Sequence, residues 1–196
     1  MAGRKSRVLS MEEVRGLFAE LQFLRSLYRN CLSEKAAVDA WSGPDGVHQD
    51  FIFRNTAVEV KGLSGRERSA VRISSEDQME ALCDNLYLFV MRLSEMPDSD
   101  RAFSLNDAVR RITAELTDGE ALEQMSARLA AYGYVELREY DEPKLLVAGQ
   151  RCFKVVDGFP RLIRSALPEG VLRVAYDVEL EKIAPFECDM GRIWES

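Results

Sequence analysis

Apolar and polar residues alternate through His48-Gln49-Asp50-Phe51-Ile52-Phe53 and again through Val58-Glu59-Val60-Lys61, which predicts two β-strands. In such strands Phe51 and Phe53 point one way and His48 and Asp50 the other, while Glu59 and Lys61 share a face. Paired as a hairpin through Arg54-Asn55-Thr56, the strands would bring two carboxylates and an ammonium together. Upstream, Ser10-Met11-Glu12-Glu13 has the form of a capping box and opens a helix expected to run to about Leu32. Val14, Leu17, Leu21, Leu24, Tyr28 and Cys31 make its buried stripe. Glu20 lies roughly 80° from the centre of that stripe, at about 100° per residue, and on position alone reads as a solvated helix glutamate.

After the hairpin, Gly62-Leu63-Ser64-Gly65-Arg66-Glu67-Arg68 reads as a flexible basic connection to a strand at Ala70–Ile73. Ser75 and Gln78 stand at capping-box spacing and predict a helix with Met79 and Leu82 on its inner side. Leu86–Met91 is apolar on both faces, as a central strand covered by helices on each side should be. Pro97-Asp98-Ser99-Asp100 marks a boundary. Beyond it, Ser104 caps a helix carrying Leu105, Val109, Ile112 and Leu116, and a second helix runs from about Asp118 to a stop near Gly133. Strands follow at Arg151–Val156 and Leu172–Leu180. The pattern is α/β, with residues 1–98 forming a core and 99–196 a helical and strand extension that completes the same domain.

The chain has 196 residues, 46% hydrophobic and 30% charged, which suits a globular domain. Its longest apolar run, Leu86–Met91, is too short for a membrane, and Met1-Ala-Gly-Arg-Lys lacks the apolar segment of a signal peptide, so a cytoplasmic location is expected. Four scattered cysteines without paired spacing argue against zinc or a disulfide framework and are expected to be buried thiols. A formal net charge of −7 opposes encounter with nucleic acid, so any phosphate contact must come from local patches, for which Arg66, Arg68 and Arg72 are the candidates beside a plain solubilising reading.

Hydrolysis of a phosphodiester requires charge neutralisation, an activated water and stabilisation of the leaving oxygen. Asp50 and Glu59 offer hard oxygen ligands for Mg²⁺ or Mn²⁺, and Lys61 an ammonium that can orient water and stabilise developing charge. His48 is the one histidine, which excludes any mechanism needing two. The bland reading of Glu59 and Lys61 is an exposed cross-strand salt bridge, and that of Gln78 a helix cap.

The order of these elements resembles the restriction-endonuclease-like PD-(D/E)XK superfamily, and more narrowly a bacterial family of PD-(D/E)XK motif proteins. The matching stretches are Gly16–Leu24 with Glu20, Ala40–Gly46, Asp50-Phe51, Val58–Lys61, Ile73–Ser75 with Gln78, and Phe159–Leu162. The resemblance implies a restriction-endonuclease-like fold with a mixed central sheet flanked by helices, and an α+β extension. It also implies metal-dependent DNA cleavage, often encoded beside methyltransferases, helicases or ATPases in restriction and anti-phage loci. By position it makes Asp50 and Glu59 metal ligands, Lys61 the catalytic lysine, Glu20 a supporting acid and Gln78 the extra glutamine of some branches. Gln49 stands where the motif has proline. Double-strand cleavage would need a dimer or repeated binding. The alternative is a non-cleaving DNA-binding or assembly subunit, and a third reading is an interaction domain with a merely solvated strand face.

Overall fold

The structure is a computed structural model that describes residues 8–45, 49–65, 69–80 and 82–195. Helix α1 (Met11–Asn30) starts at the expected capping box, where the Ser10 hydroxyl accepts the Glu13 N–H and the Glu13 carboxylate accepts the Ser10 N–H at 2.8 Å. It ends two residues short of expectation because the N–H groups of Cys31 and Leu32 both turn back to the Leu27 carbonyl. A short helix α2 (Glu34–Ala40), capped by Ser33, follows. At seven residues it is too brief for a periodic signal.

Strands β1 (Phe51–Phe53) and β2 (Thr56–Ser64) form the anticipated antiparallel hairpin, with Phe51 opposite Val58 and Arg54 taking the left-handed conformation at its tip. Strand β3 (Ala70–Ile73) leaves the hairpin, and β4 (Asn85–Glu95) returns parallel to β2, placing Glu59 beside Leu88 and Lys61 beside Val90. Helices α3 (Leu105–Glu115) and α4 (Gly119–Tyr132) come next, α4 closing at Gly133 with φ 96°. Strand β5 (Leu145–Lys154) then pairs antiparallel with β4, and β6 (Tyr176–Glu179) pairs with β3. The short strand β7 (Glu187–Cys188) lies on β5, and α5 (Gly191–Glu195) ends the described chain. The main sheet is thus mixed, ordered β1-β2-β4-β5-β7, with β3 and β6 forming a separate two-stranded sheet.

Side-chain alternation along β2 and β4 feeds two cores. Val58, Val60, Tyr87, Phe89 and Met91 pack with Leu17, Phe18, Leu21 and Leu24 of α1 and with residues of α3 and α4. Ala57, Leu63, Leu86, Leu88 and Val90 pack instead under Val71, Ile73, Met79, Val178 and Leu180. The central strand is therefore covered by helices on one face only; the β3–β6 sheet and its connections cover the other.

Three further expectations are corrected. Ser75 opens a single 3-10 turn, Glu76–Met79, in place of a helix, and Leu82 is exposed while Met79 is buried. The Gln78 side chain accepts the N–H of Ser74 rather than closing a capping box on Ser75, and Asn55 at the hairpin tip bonds Asp84 and Asn85. The strand expected from Leu172 begins only at Tyr176, because Arg173 is left-handed (φ 57°) and breaks the extended run. Of the cysteines only Cys152 is buried; it lies opposite Cys188 across β5 and β7 with the sulfurs 3.7 Å apart, both as free thiols. Among the described residues no helix is long and apolar enough to cross a membrane.

Candidate active site

The β1–β2 ladder stops at Phe51 and Val58, so the Val60 N–H on that edge finds no partner in β1. Asp50, immediately before β1, fills the gap: its Oδ2 accepts the Val60 N–H at 2.8 Å. The Asp50 carbonyl is itself fixed by the N–H groups of Ser42 (2.7 Å) and Gly43 (3.0 Å). Glu59, on the face of β2 opposite Val58 and Val60, is 1% exposed. Its Oε1 lies 2.7 Å from the Lys61 ammonium, which also donates to Gln78 Oε1 at 3.2 Å. The exposed salt-bridge reading of this pair fails on burial.

Glu20 is buried too, contrary to its expectation as a solvated helix residue. What covers it comes from outside α1. The indole N–H of fully buried Trp41 donates to Glu20 Oε2 at 2.7 Å. Two residues beyond Trp41, a Cβ on Gly43 would come 2.6 Å from Glu20 Oε2, which Trp41 holds in place, and 3.1 Å from Asp50 Oδ1, so a side chain there would have to displace the acids where they converge.

Burial pushes the Asp50 carboxyl up to about 6, against the opposing pull of Lys61 and the Val60 N–H. Burial and then the Asp50 charge push Glu59 up to about 8, against Lys61. Glu20 is raised well above its ordinary range by burial and by Asp50. Burial works to lower the Lys61 ammonium, but Glu59 and Asp50 outweigh it and the net shift is upward. Burial, followed by the fields of Glu20 and Asp50, raises the Tyr132 hydroxyl, which α4 brings against α1. Three acids thus share one lysine in a low-dielectric place.

Such a cluster fits a cation. Glu59 Oε2 is buried with no hydrogen-bond partner, the donors are hard carboxylate oxygens, and Gly43 keeps the space between Glu20 and Asp50 free of carbon. Among the described residues no group of three or more His, Cys, Asp and Glu is arranged to hold a metal ion. A two-carboxylate site completed by water and substrate phosphate is the mode Mg²⁺ commonly takes.

A family model described as "Putative PD-(D/E)XK family member, (DUF4420)" matches residues 1–181. The chain belongs to this family. No curated protein and no solved structure matches it significantly. The nuclease-like fold of the DUF4420 chain agrees with its sheet: a hairpin bearing the acid and acid-x-lysine segments, then a parallel central strand.

Of the residues singled out from sequence, Asp50, Glu59, Lys61, Glu20 and Gln78 are brought together in this DUF4420 structure. Arg72 is not among them. It sits exposed on β3, 3.8 Å from Asp177. Arg66 and Arg68 lie outside the described residues, as does His48. Sequence reasoning missed the roles of Trp41, Gly43, Gln49 and Tyr132. For the first two a signal existed in the turn Trp41-Ser42-Gly43-Pro44 just ahead of Asp50, a placement that delivers them to the acid.

Proposed function

We propose that the protein is a metal-dependent DNA endonuclease that hydrolyses phosphodiester bonds and serves in a bacterial restriction or anti-phage defence system. The observation that carries this reading is the buried set of Asp50, Glu59 and Lys61, with one Glu59 oxygen left without a partner. Asp50 and Glu59 would hold Mg²⁺ or Mn²⁺, which supplies charge neutralisation at the phosphate and a more acidic water. Lys61, held between Glu59 and Gln78, presents an ammonium to the oxygen on which charge develops during attack. Glu20 adds negative charge on the α1 side of the site and is oriented for it by Trp41. Gln78 limits the swing of the lysine.

DNA is the substrate in this reading, and the cytoplasm the place of action. A net charge of −7 leaves phosphate contacts to local patches, and affinity falls with salt in proportion to the number of those contacts. One site cuts one strand, so a homodimer or sequential nicking delivers a double-strand break. A methyltransferase, helicase or ATPase encoded with it would provide target choice.

The test is cleavage of supercoiled plasmid with Mg²⁺ or Mn²⁺, run beside Lys61→Ala and Asp50→Ala. Metal-dependent nicking that disappears in both variants supports the enzyme. Nicking that persists in both marks a contaminant. If the wild type never cuts, alone or with its genomic neighbours, the reading gives way to a non-cleaving DNA-binding or assembly subunit.

A further inference from the structure

Gln49 occupies the position that proline takes in the family motif, and its side chain is 1% exposed. Its Nε2 lies 3.1 Å from the Asp77 carbonyl, 3.2 Å from that of Gln78 and 3.0 Å from that of Glu80. Three carbonyls converging on one atom assign it as the NH₂ end of the amide, since a carbonyl oxygen there would meet only acceptors. The other end, Oε1, is buried without a partner. Leaving a buried acceptor unpaired is costly, and an apolar side chain would avoid it, so the donor end must supply something that an apolar residue cannot.

What it supplies is a hold on the turn that carries Gln78. The 3-10 turn Glu76–Met79 is four residues long and too short to fix its own direction. Its remaining ties include Met79 in the core and, nearer the surface, Arg161 on the Met79 carbonyl and Arg164 on Glu76 and Asp77. Gln49 is the tie on the side of the acids. From that turn the Gln78 side chain folds back so that its Oε1 takes both the Ser74 N–H (2.8 Å) and the Lys61 ammonium (3.2 Å). Asp50 follows Gln49 by one peptide bond, and its carbonyl is pinned by Ser42 and Gly43.

We infer that Gln49 is a positioning residue: its amide fixes the Gln78 turn relative to Asp50 and through Gln78 sets where the Lys61 ammonium stands. The inference deepens the nuclease reading and rests on it for its catalytic consequence. The geometric link can be read without catalysis.

The experiment compares wild type, Gln49→Met, Gln78→Ala and the double variant. Met preserves length and volume but cannot donate. In Gln49→Met the Ser74 amide should exchange roughly fivefold faster by NMR, the population change expected for one weakened hydrogen bond, while β2 and β4 amides stay protected. In the plasmid assay kcat should fall, by up to about 10²-fold for an ångström-scale displacement of the lysine, with KM for DNA and Mn²⁺ affinity retained. In the Gln78→Ala background the same change should add little, because both act through one element. Unchanged Ser74 protection overturns the inference, as do effects on kcat that simply multiply. If the wild type does not cleave at all, the nuclease reading falls while Ser74 exchange still decides the positioning claim. Should Gln49→Met fail to fold, Gln49→Leu, smaller and equally unable to donate, carries the same comparisons.

Discussion

Helix α1 presents Glu20 to the site; its apolar face packs in the core, and one carboxylate ties it to α3. Glu115 accepts from Arg25 Nε (2.8 Å to Oε2, 3.1 Å to Oε1) and Arg25 Nη2 (2.7 Å to Oε1), and from the Tyr28 hydroxyl at 2.6 Å. Arg111 Nε adds a bond at 3.3 Å, and Arg29 lies 3.7 Å away. The Arg25 hydrogen bonds, aided by Tyr28 and opposed by partial burial, hold the Glu115 carboxyl at about 2, down from 4.5. A fall from 4.5 to about 2 corresponds to roughly 3.4 kcal/mol at about 1.36 kcal/mol per tenfold change in proton affinity. The side chains of Glu115 and Arg25 are 24% and 17% exposed, so solvent screens part of this and roughly 2–3 kcal/mol is expected. A carboxyl lowered in the folded state stabilises above its unfolded pKa, and the contribution is lost as pH falls from 4.5 toward 2. Glu115→Gln should therefore lose roughly 2–3 kcal/mol in urea unfolding at pH 7 and only about 1 kcal/mol at pH 3, where half or more of the contribution has gone even from wild type. A gap under about 0.5 kcal/mol at pH 7, the size of an ordinary surface substitution, would refute the argument, and so would an equal gap at both pH values.

Trp41→Phe keeps an aromatic ring but removes the pyrrole portion and with it the donor to Glu20, so equilibrium unfolding should show a loss of at least about 1–3 kcal/mol, the bond and the vacated space together; a neutral result would mean that the bond at 2.7 Å is not maintained. Gly43→Ala places carbon 2.6 Å from Glu20 Oε2, and a destabilisation of about 1–3 kcal/mol is expected together with a weakened response to Mn²⁺, both read by thermal unfolding with and without the ion. Mn²⁺ at a hundred times its Kd should stabilise the wild type by about 2.7 kcal/mol and Asp50→Asn by much less; an undiminished shift in the variant would put the ion elsewhere. Terbium bound at the same carboxylates should luminesce on tryptophan excitation, and the signal should fall in Trp41→Phe far more than in Trp194→Phe, because Trp41 hydrogen-bonds a site acid while Trp194 packs at a tilt against Phe23.

The parts of the fold that were legible are those written in neighbouring residues. Ser10 and Glu13 cap α1, Ser104 and Asp107 cap α3, and the alternation of Phe51–Phe53 with Val58–Lys61 yields the hairpin. Asp50, Glu59 and Lys61 were legible for the same reason, since one hairpin contains all three. Glu20 was misjudged because its position relative to the apolar stripe of α1 is a property of that helix alone, while its burial is caused by Trp41, twenty-one residues on. Local spacing alone makes Gln78 a cap, and it does bond the Ser74 N–H, but its second partner, Lys61, belongs to another strand. The helix expected at Ser75 failed because local capping competes there with tertiary bonds from Gln49 and Asn55, which no periodicity reports. Tyr132 reads as an ordinary last-turn helix aromatic until α4 is docked against α1.

The arrangement around Asp50 is one that stability alone would not favour. Burying Glu20 and Glu59 beside Asp50 sets like charges together in a place where water cannot screen them. The fold tolerates this through specific donors: the Val60 N–H left over by a short β1, the Trp41 indole, and the Lys61 ammonium. Each donor takes one named carboxylate oxygen, yet Glu59 Oε2 still lacks a partner, and so does Gln49 Oε1, one residue before Asp50. Two unmet buried oxygens, one on a site acid and one on the residue before Asp50, mark where the sequence has kept something other than stability. Under the nuclease reading that something is a divalent ion and a phosphate, whose opposite charges meet the acids and the lysine in turn. The Arg25–Glu115 anchor and the Gln49 tie then have a common purpose. They hold α1 and the Gln78 turn rigid, so that the repulsion among the acids cannot relax by moving the elements apart.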